Sequence, residues 1–148
     1  MVSGDGMPYD IQVKAAQIEL LNQQIQTLQL RLMEIEKTVD ELSILKMGLK
    51  NMEDVAEGDD MLVPLGASVY AQGKATKNRK VVVNIGAGVF VEKEIKDAVP
   101  MVDRQIEILA EQEQMVLRNL GTFSKEAERL TAELNAELMV MQNAGLPA

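Results

Sequence analysis

The sequence predicts a mainly α protein: a long antiparallel two-helix coiled coil with a central insert of two β-hairpins. Three observations predict it. Aliphatic residues recur at alternating three- and four-residue spacing through both flanks of the chain, the pattern of a coiled-coil stripe. The stretch between them, Met61 to Val91, is rich in Val and Gly and contains no Asp or Glu. Rings are scarce: Tyr9, Tyr70, Phe90 and Phe123 are the full set, 3% of 148 residues. A compact core draws on more aromatic area, whereas elongated helices close on aliphatic seams.

The first helix is expected over 9–57. With Ile11 at heptad position a, the a series reads Ile11, Ile18, Ile25, Leu32, Val39 and Lys46. The d series reads Lys14, Leu21, Leu28, Ile35, Leu42 and Leu49. All but the two lysines are aliphatic, while Gln17, Gln23, Gln24, Gln26, Glu34, Glu36 and Lys37 fall on other faces. Pro8 suits a helix start, because the first turn lacks intrahelical donors anyway. Gly58, ahead of Asp59 and Asp60, reads as the stop. At about 1.5 Å per residue, such an arm reaches about 70 Å. Its stripe requires a partner.

The insert, 58–93, holds four strand-like runs: Met61–Leu65, Ala67–Gln72, Lys80–Ile85 and Val89–Val91. Pro64-Leu65-Gly66 and Gly86-Ala87-Gly88 separate them in pairs, at hairpin spacing. Val81, Val83 and Ile85 share one face and Val82 the other, so both faces are largely apolar. One chain with such short strands cannot cover both faces or its edges. Assembly is the expected resolution. The candidate oligomerisation residues are Leu62, Val63, Leu65, Val69, Tyr70, Val81, Val82, Val83, Ile85, Val89, Phe90 and Val91.

The second helix is expected over 94–143. Ile95, Val102, Leu109, Val116, Phe123 and Leu130 form one series; Val99, Ile106, Glu113, Leu120, Ala127 and Leu134 form the other. Asp97 reads as the N-cap, with Pro100 tolerated in the first turn; an earlier start would put Pro100 inside the helix as a kink. Gly121 weakens the helix locally. Past Leu134 the seam breaks up, and Glu137 stands where an apolar residue is due. The two stripes match in length, which implies an intramolecular antiparallel coil with both termini at one end, far from the β insert.

Charge and absent residues narrow the function. Residues 1–60 carry 12 acids against 5 bases, residues 92–148 carry 11 against 6, and residues 61–91 hold four bases and no acid. The acidic arms repel nucleic acid and anionic membranes. The Lys74–Lys80 loop has four charges without interleaved aromatics, a weak nucleic-acid signal that reads as a solvated loop. With no Cys and no His, a thiol nucleophile, the commonest general base and the commonest metal ligand are missing. Gly86-x-Gly88 lacks the third glycine of a dinucleotide fingerprint, and Glu57-Gly58-Asp59-Asp60 lacks calcium-loop spacing. No enzyme, cofactor or metal is expected. No apolar run nears the roughly 18 residues of a membrane span, and MVSGDGMPYD shows no signal-peptide pattern. The expected compartment is the cytoplasm.

The helix ends carry the most suggestive surface. Met7, Tyr9 and Ile11 open the first arm; Leu138, Met139, Val140, Met141 and Leu146 close the second. Apolar residues beyond a regular seam have little in the chain to cover them, and Met adapts to varied partners. The plainer reading is a frayed end with scattered apolar groups.

Helix, two tandem hairpins, helix: the chain resembles the α class of prefoldin subunits. The residues that carry the likeness are Leu62-Val63-Pro64-Leu65-Gly66-Ala67 and Val81-Val82-Val83-Asn84-Ile85-Gly86-Ala87-Gly88-Val89, followed by Glu92-Lys93. The resemblance implies an ATP-independent holdase, archaeal in type, in a hexamer of two α-class and four β-class subunits. It implies a hairpin-built oligomeric β-barrel, tips that hold unfolded clients, and transfer to a group II chaperonin. On this reading Met7, Tyr9, Ile11, Leu138, Met139, Met141 and Leu146 contact clients. Two other classes stay open on the residues: a structural or filament-forming coiled coil, and a nucleic-acid adaptor using the basic loop.

Overall fold

A computed structural model describes residues 8–77 and 80–145. The order of elements is α1 (Tyr9–Glu53), β1 (Asp60–Gly66), β2 (Val69–Lys74), β3 (Lys80–Gly86), β4 (Val89–Glu94) and α2 (Ile95–Asn143). The architecture is mainly helical, with two small antiparallel hairpins between two long helices. The chain divides into two compact units: Met1–Glu36 with Glu111–Ala148, and Lys37–Ala110.

In the first unit the α1 seam from Ile11 to Ile35 and the α2 seam from Glu113 to Leu134 are buried or half-buried throughout. Gln17, Gln23, Gln24, Gln26, Glu34 and Glu36 are exposed. Ile35, at 1% exposure, Val116, Ala127 and Leu130 are its most enclosed seam residues together with Ile11. The helices run antiparallel, because low numbers on α1 meet high numbers on α2. Arg31 donates to Gln112 at 3.2 Å, and Lys14 donates to Glu137 while lying 3.6 Å from Glu133. Two polar interruptions of the seams, Lys14 and Glu137, therefore answer each other. The Glu137 hydrogen bond, helped by the Glu133 charge, holds the Lys14 ammonium above its ordinary range against a smaller desolvation effect.

This pairing favours one register over neighbouring ones, since a slip leaves a lysine against an aliphatic stripe. Lys14→Glu gathers like charges and should lower the melting temperature followed by circular dichroism. Adding Glu137→Lys should recover much of that loss; no recovery would remove the pair's role in register.

In the second unit Leu49, Ile95, Ala98 and Val102 form a buried cluster, with Leu42, Val81, Val99 and Ile106 packed around it. Val81 belongs to β3, so the second hairpin is rooted in the helical core. Lys46, the other polar seam position of α1, pairs with Asp103 of α2.

Three expected details change. The helix α1 ends at Glu53, not at Gly58: Asp54 and Val55 donate back three residues, to Asn51 and Met52, closing the last turn. Gly58 serves the hairpin instead. At φ +87° its N–H donates to Ala75 at 2.9 Å, and Ala75 N–H returns to Asp59 at 2.8 Å. At the other end, α2 starts at Ile95, so Asp97 sits in the first turn and is not the cap. Burial of Ile95 and Ala98 in the core draws the helix start forward. Pro100 consequently lies inside the helix, where it has no N–H to offer the Lys96 carbonyl.

The third shift concerns the turns. Pro64 is within β1, paired with Tyr70, which an edge strand permits. The reversals are Ala67-Ser68 and Ala87-Gly88, with φ of 48° and 64°, and 51° and 74°. Positive φ at both central residues matches the right-handed twist of a hairpin. β2 accordingly begins at Val69, not Ala67. In each hairpin one residue, Leu65 or Ile85, is passed over between paired positions as a bulge.

Candidate assembly and client surfaces

The two hairpins are copies of one design, displaced by 20 positions. Asp60↔Lys74 corresponds to Lys80↔Glu94, Pro64↔Tyr70 to Asn84↔Phe90, and Gly66↔Val69 to Gly86↔Val89. Aligning LVPLGASVYA on VVNIGAGVFV reveals the repeat, a signal present in the sequence that hairpin spacing alone passes over. The charged pair at the base is reversed between copies, and Lys74 contacts Asp60 at 2.9 Å in the first.

The hairpins form separate two-stranded sheets, with β2 and β3 unpaired. Cross-strand partners define the faces. Met61, Ala71 and Gly73 in the first hairpin, and Val81, Val83, Val91 and Lys93 in the second, are half-buried. The opposite face is open: Leu62, Tyr70, Val82 and Phe90 each expose more than half their surface. Leu65, Val69, Ile85 and Val89 at the turns are equally open, and Val63 is exposed. Of the twelve residues expected at an oligomer interface, Val81, Val83 and Val91 are thus partly spent on this chain's own packing, and nine are exposed. Covering one such side chain contributes about 1.5–3 kcal/mol.

The first unit carries the second surface. A cavity of about 360 Å3 opens where α1 begins and α2 ends. Pro8, Ile11, Ala136, Val140 and Met141 supply its apolar walls, and Asp10 and Glu137 its carboxylates. The expected tip residues separate by depth. Tyr9 and Met139 are exposed, Leu138 and Met141 half-buried, and Ile11 is only 2% exposed. Ile11 is therefore wall and seam together, because the coil closes as far as Lys14–Glu137 and beyond. Met7 and Leu146 lie outside the described residues, as does Arg79 of the basic loop. Two wall residues carry no such assignment in the sequence. Pro8 reads only as a helix opener, and Ala136 becomes recognisable once Lys14–Glu137 sets the register.

Among the described residues no group of three or more His, Cys, Asp or Glu side chains is arranged to hold a metal ion. No described helix is long and apolar enough to cross a membrane.

Known proteins share this arrangement. The family model described as Prefoldin subunit matches residues 21–138. The prefoldin subunit alpha of Methanococcus aeolicus is 32% identical over 136 residues, covering 92% of each chain. That of Archaeoglobus fulgidus is 30% identical over 127 residues, covering 86% of this chain and 93% of its own. Among solved structures, a cryo-EM structure of filamentous PFD from Methanocaldococcus jannaschii shares the fold at TM-score 0.70 and 24% identity, over 80% of this chain and 98% of that one. The double hairpin between seam-forming helices, the matched span and these relatives agree: the chain belongs to the prefoldin family, among relatives named as its alpha subunits.

Proposed function

We propose that this chain is a subunit of an ATP-independent holdase of the cytoplasm and has no enzymatic activity. Its hairpins assemble it with β-class prefoldin subunits, two copies of this chain with four partners, around a closed β-barrel. Its helix ends hold unfolded proteins and pass them to a group II chaperonin. One observation carries the reading: apolar side chains stand uncovered on the hairpin faces and around the cavity at the helix ends. The first suits permanent burial by other strands. The second is open and is walled in part by the adaptable Met141, with Met139 exposed on the same last turns of α2, which suits transient contact with varied apolar segments.

The filamentous relative favours a second reading, in which the same hairpins build a polymer that serves as a scaffold. Native mass spectrometry of the chain with a β-class partner distinguishes them. The holdase reading expects a discrete particle of two and four chains. Open-ended polymers of this chain alone, or a persistent monomer, would contradict it.

A further inference from the structure

The cavity at the helix ends combines an apolar interior with an unbalanced negative field. Residues 8–20 and 130–145 contain Asp10, Glu19, Glu133 and Glu137 against a single base, Lys14. That base is already shared, bonded to Glu137 and 3.6 Å from Glu133. Arg129, the next cation along α2, is taken up by Glu126 and Glu133. These two cations and three carboxylates leave one negative charge over, and Asp10 adds another on the cavity itself. A long, solvent-facing helix pair cannot hide this charge, so it acts on whatever enters the cavity.

We infer that the cavity selects client segments in which an aliphatic side chain is flanked by Lys or Arg, the aliphatic group seated against Ile11, Ala136 and Val140 and the cation beside Asp10. The inference rests on the client-holding role proposed above and specifies its substrate class. A volume of about 360 Å3 lies at the small end of the roughly 300–1,000 Å3 of ligand pockets, room for an anchoring side chain or two, not a folded surface. Charge then decides among otherwise equal apolar segments: complementary charge speeds capture, and like charge rejects. Segments rich in Asp and Glu are disfavoured although equally unfolded.

The test uses the full chain in its assembled form and two labelled peptides with the same leucine-rich core, one flanked by lysines and one by glutamates. Fluorescence anisotropy should show the lysine peptide binding about tenfold tighter at low salt, with the ratio falling as salt screens the field. Asp10→Asn should reduce the ratio about twofold to threefold. Val140→Ser, at an exposed position, should weaken both peptides without changing their ratio. Equal affinities, or a ratio indifferent to Asp10→Asn, would overturn the selectivity while leaving client holding intact. Binding of neither peptide would overturn both.

Discussion

Replacing Ile85 by Asp is expected to dissociate the assembly while the chain keeps its fold. Ile85 is the bulged residue of the second hairpin and exposes 59% of its surface in the single chain, so the carboxylate remains hydrated there. Its cost arises on assembly, where an unpaired charge enters an apolar interface, at several kcal/mol per site. Leu65 holds the corresponding place in the first hairpin, 20 positions earlier, and Leu65→Asp should behave alike. Val83→Asp should dissociate the particle too, but Val83 is half-buried, so part of its effect falls on the hairpin's own packing. Light scattering after size-exclusion chromatography reads the particle mass directly, with circular dichroism reporting helix content. An unchanged mass for Ile85→Asp would remove the hairpin face from the interface.

The parts of this fold that were legible in the sequence are those set by local pattern. Residues such as Ile18, Leu28, Val102 and Leu130 had to line seams, since 3–4 spacing places them on one stripe whatever they meet. Val81 to Ile85 had to be extended, as a run β-branched at every position but Asn84, before Gly86. Less legible was whatever depended on the second partner. Lys14 and Glu137 looked like separate flaws until each was set opposite the other. Asp97 looked like a cap, but the burial of Ile95 holds the helix start ahead of it, a tertiary effect that overrides capping preference. Gly58 resembled a helix stop because a positive-φ glycine serves a helix end and a hairpin base equally well. At the candidate tip, Ile11 read both as the first seam position and as tip surface, because heptads do not reveal how far the seam closes. Met139 and Tyr9 read correctly as exposed.

Truncation of residues 1–10 and 138–148 carries the second large expected effect. It removes Pro8, Asp10, Val140 and Met141 from the cavity, along with exposed Tyr9 and Met139. It retains Ile11, Lys14, Glu133 and Glu137, which close the coil, and every residue of both hairpins. Holding and assembly are thus separated in a single variant. On the proposed function, the helix ends are the working surface and the hairpins the means of assembly. The most direct measurement is light scattering from an aggregating unfolded client in the presence of intact or truncated assembly, at matched particle mass. The truncated particle is expected to have the mass of its chains and to lose most of its suppression of scattering. Undiminished suppression by that particle would contradict the proposed function.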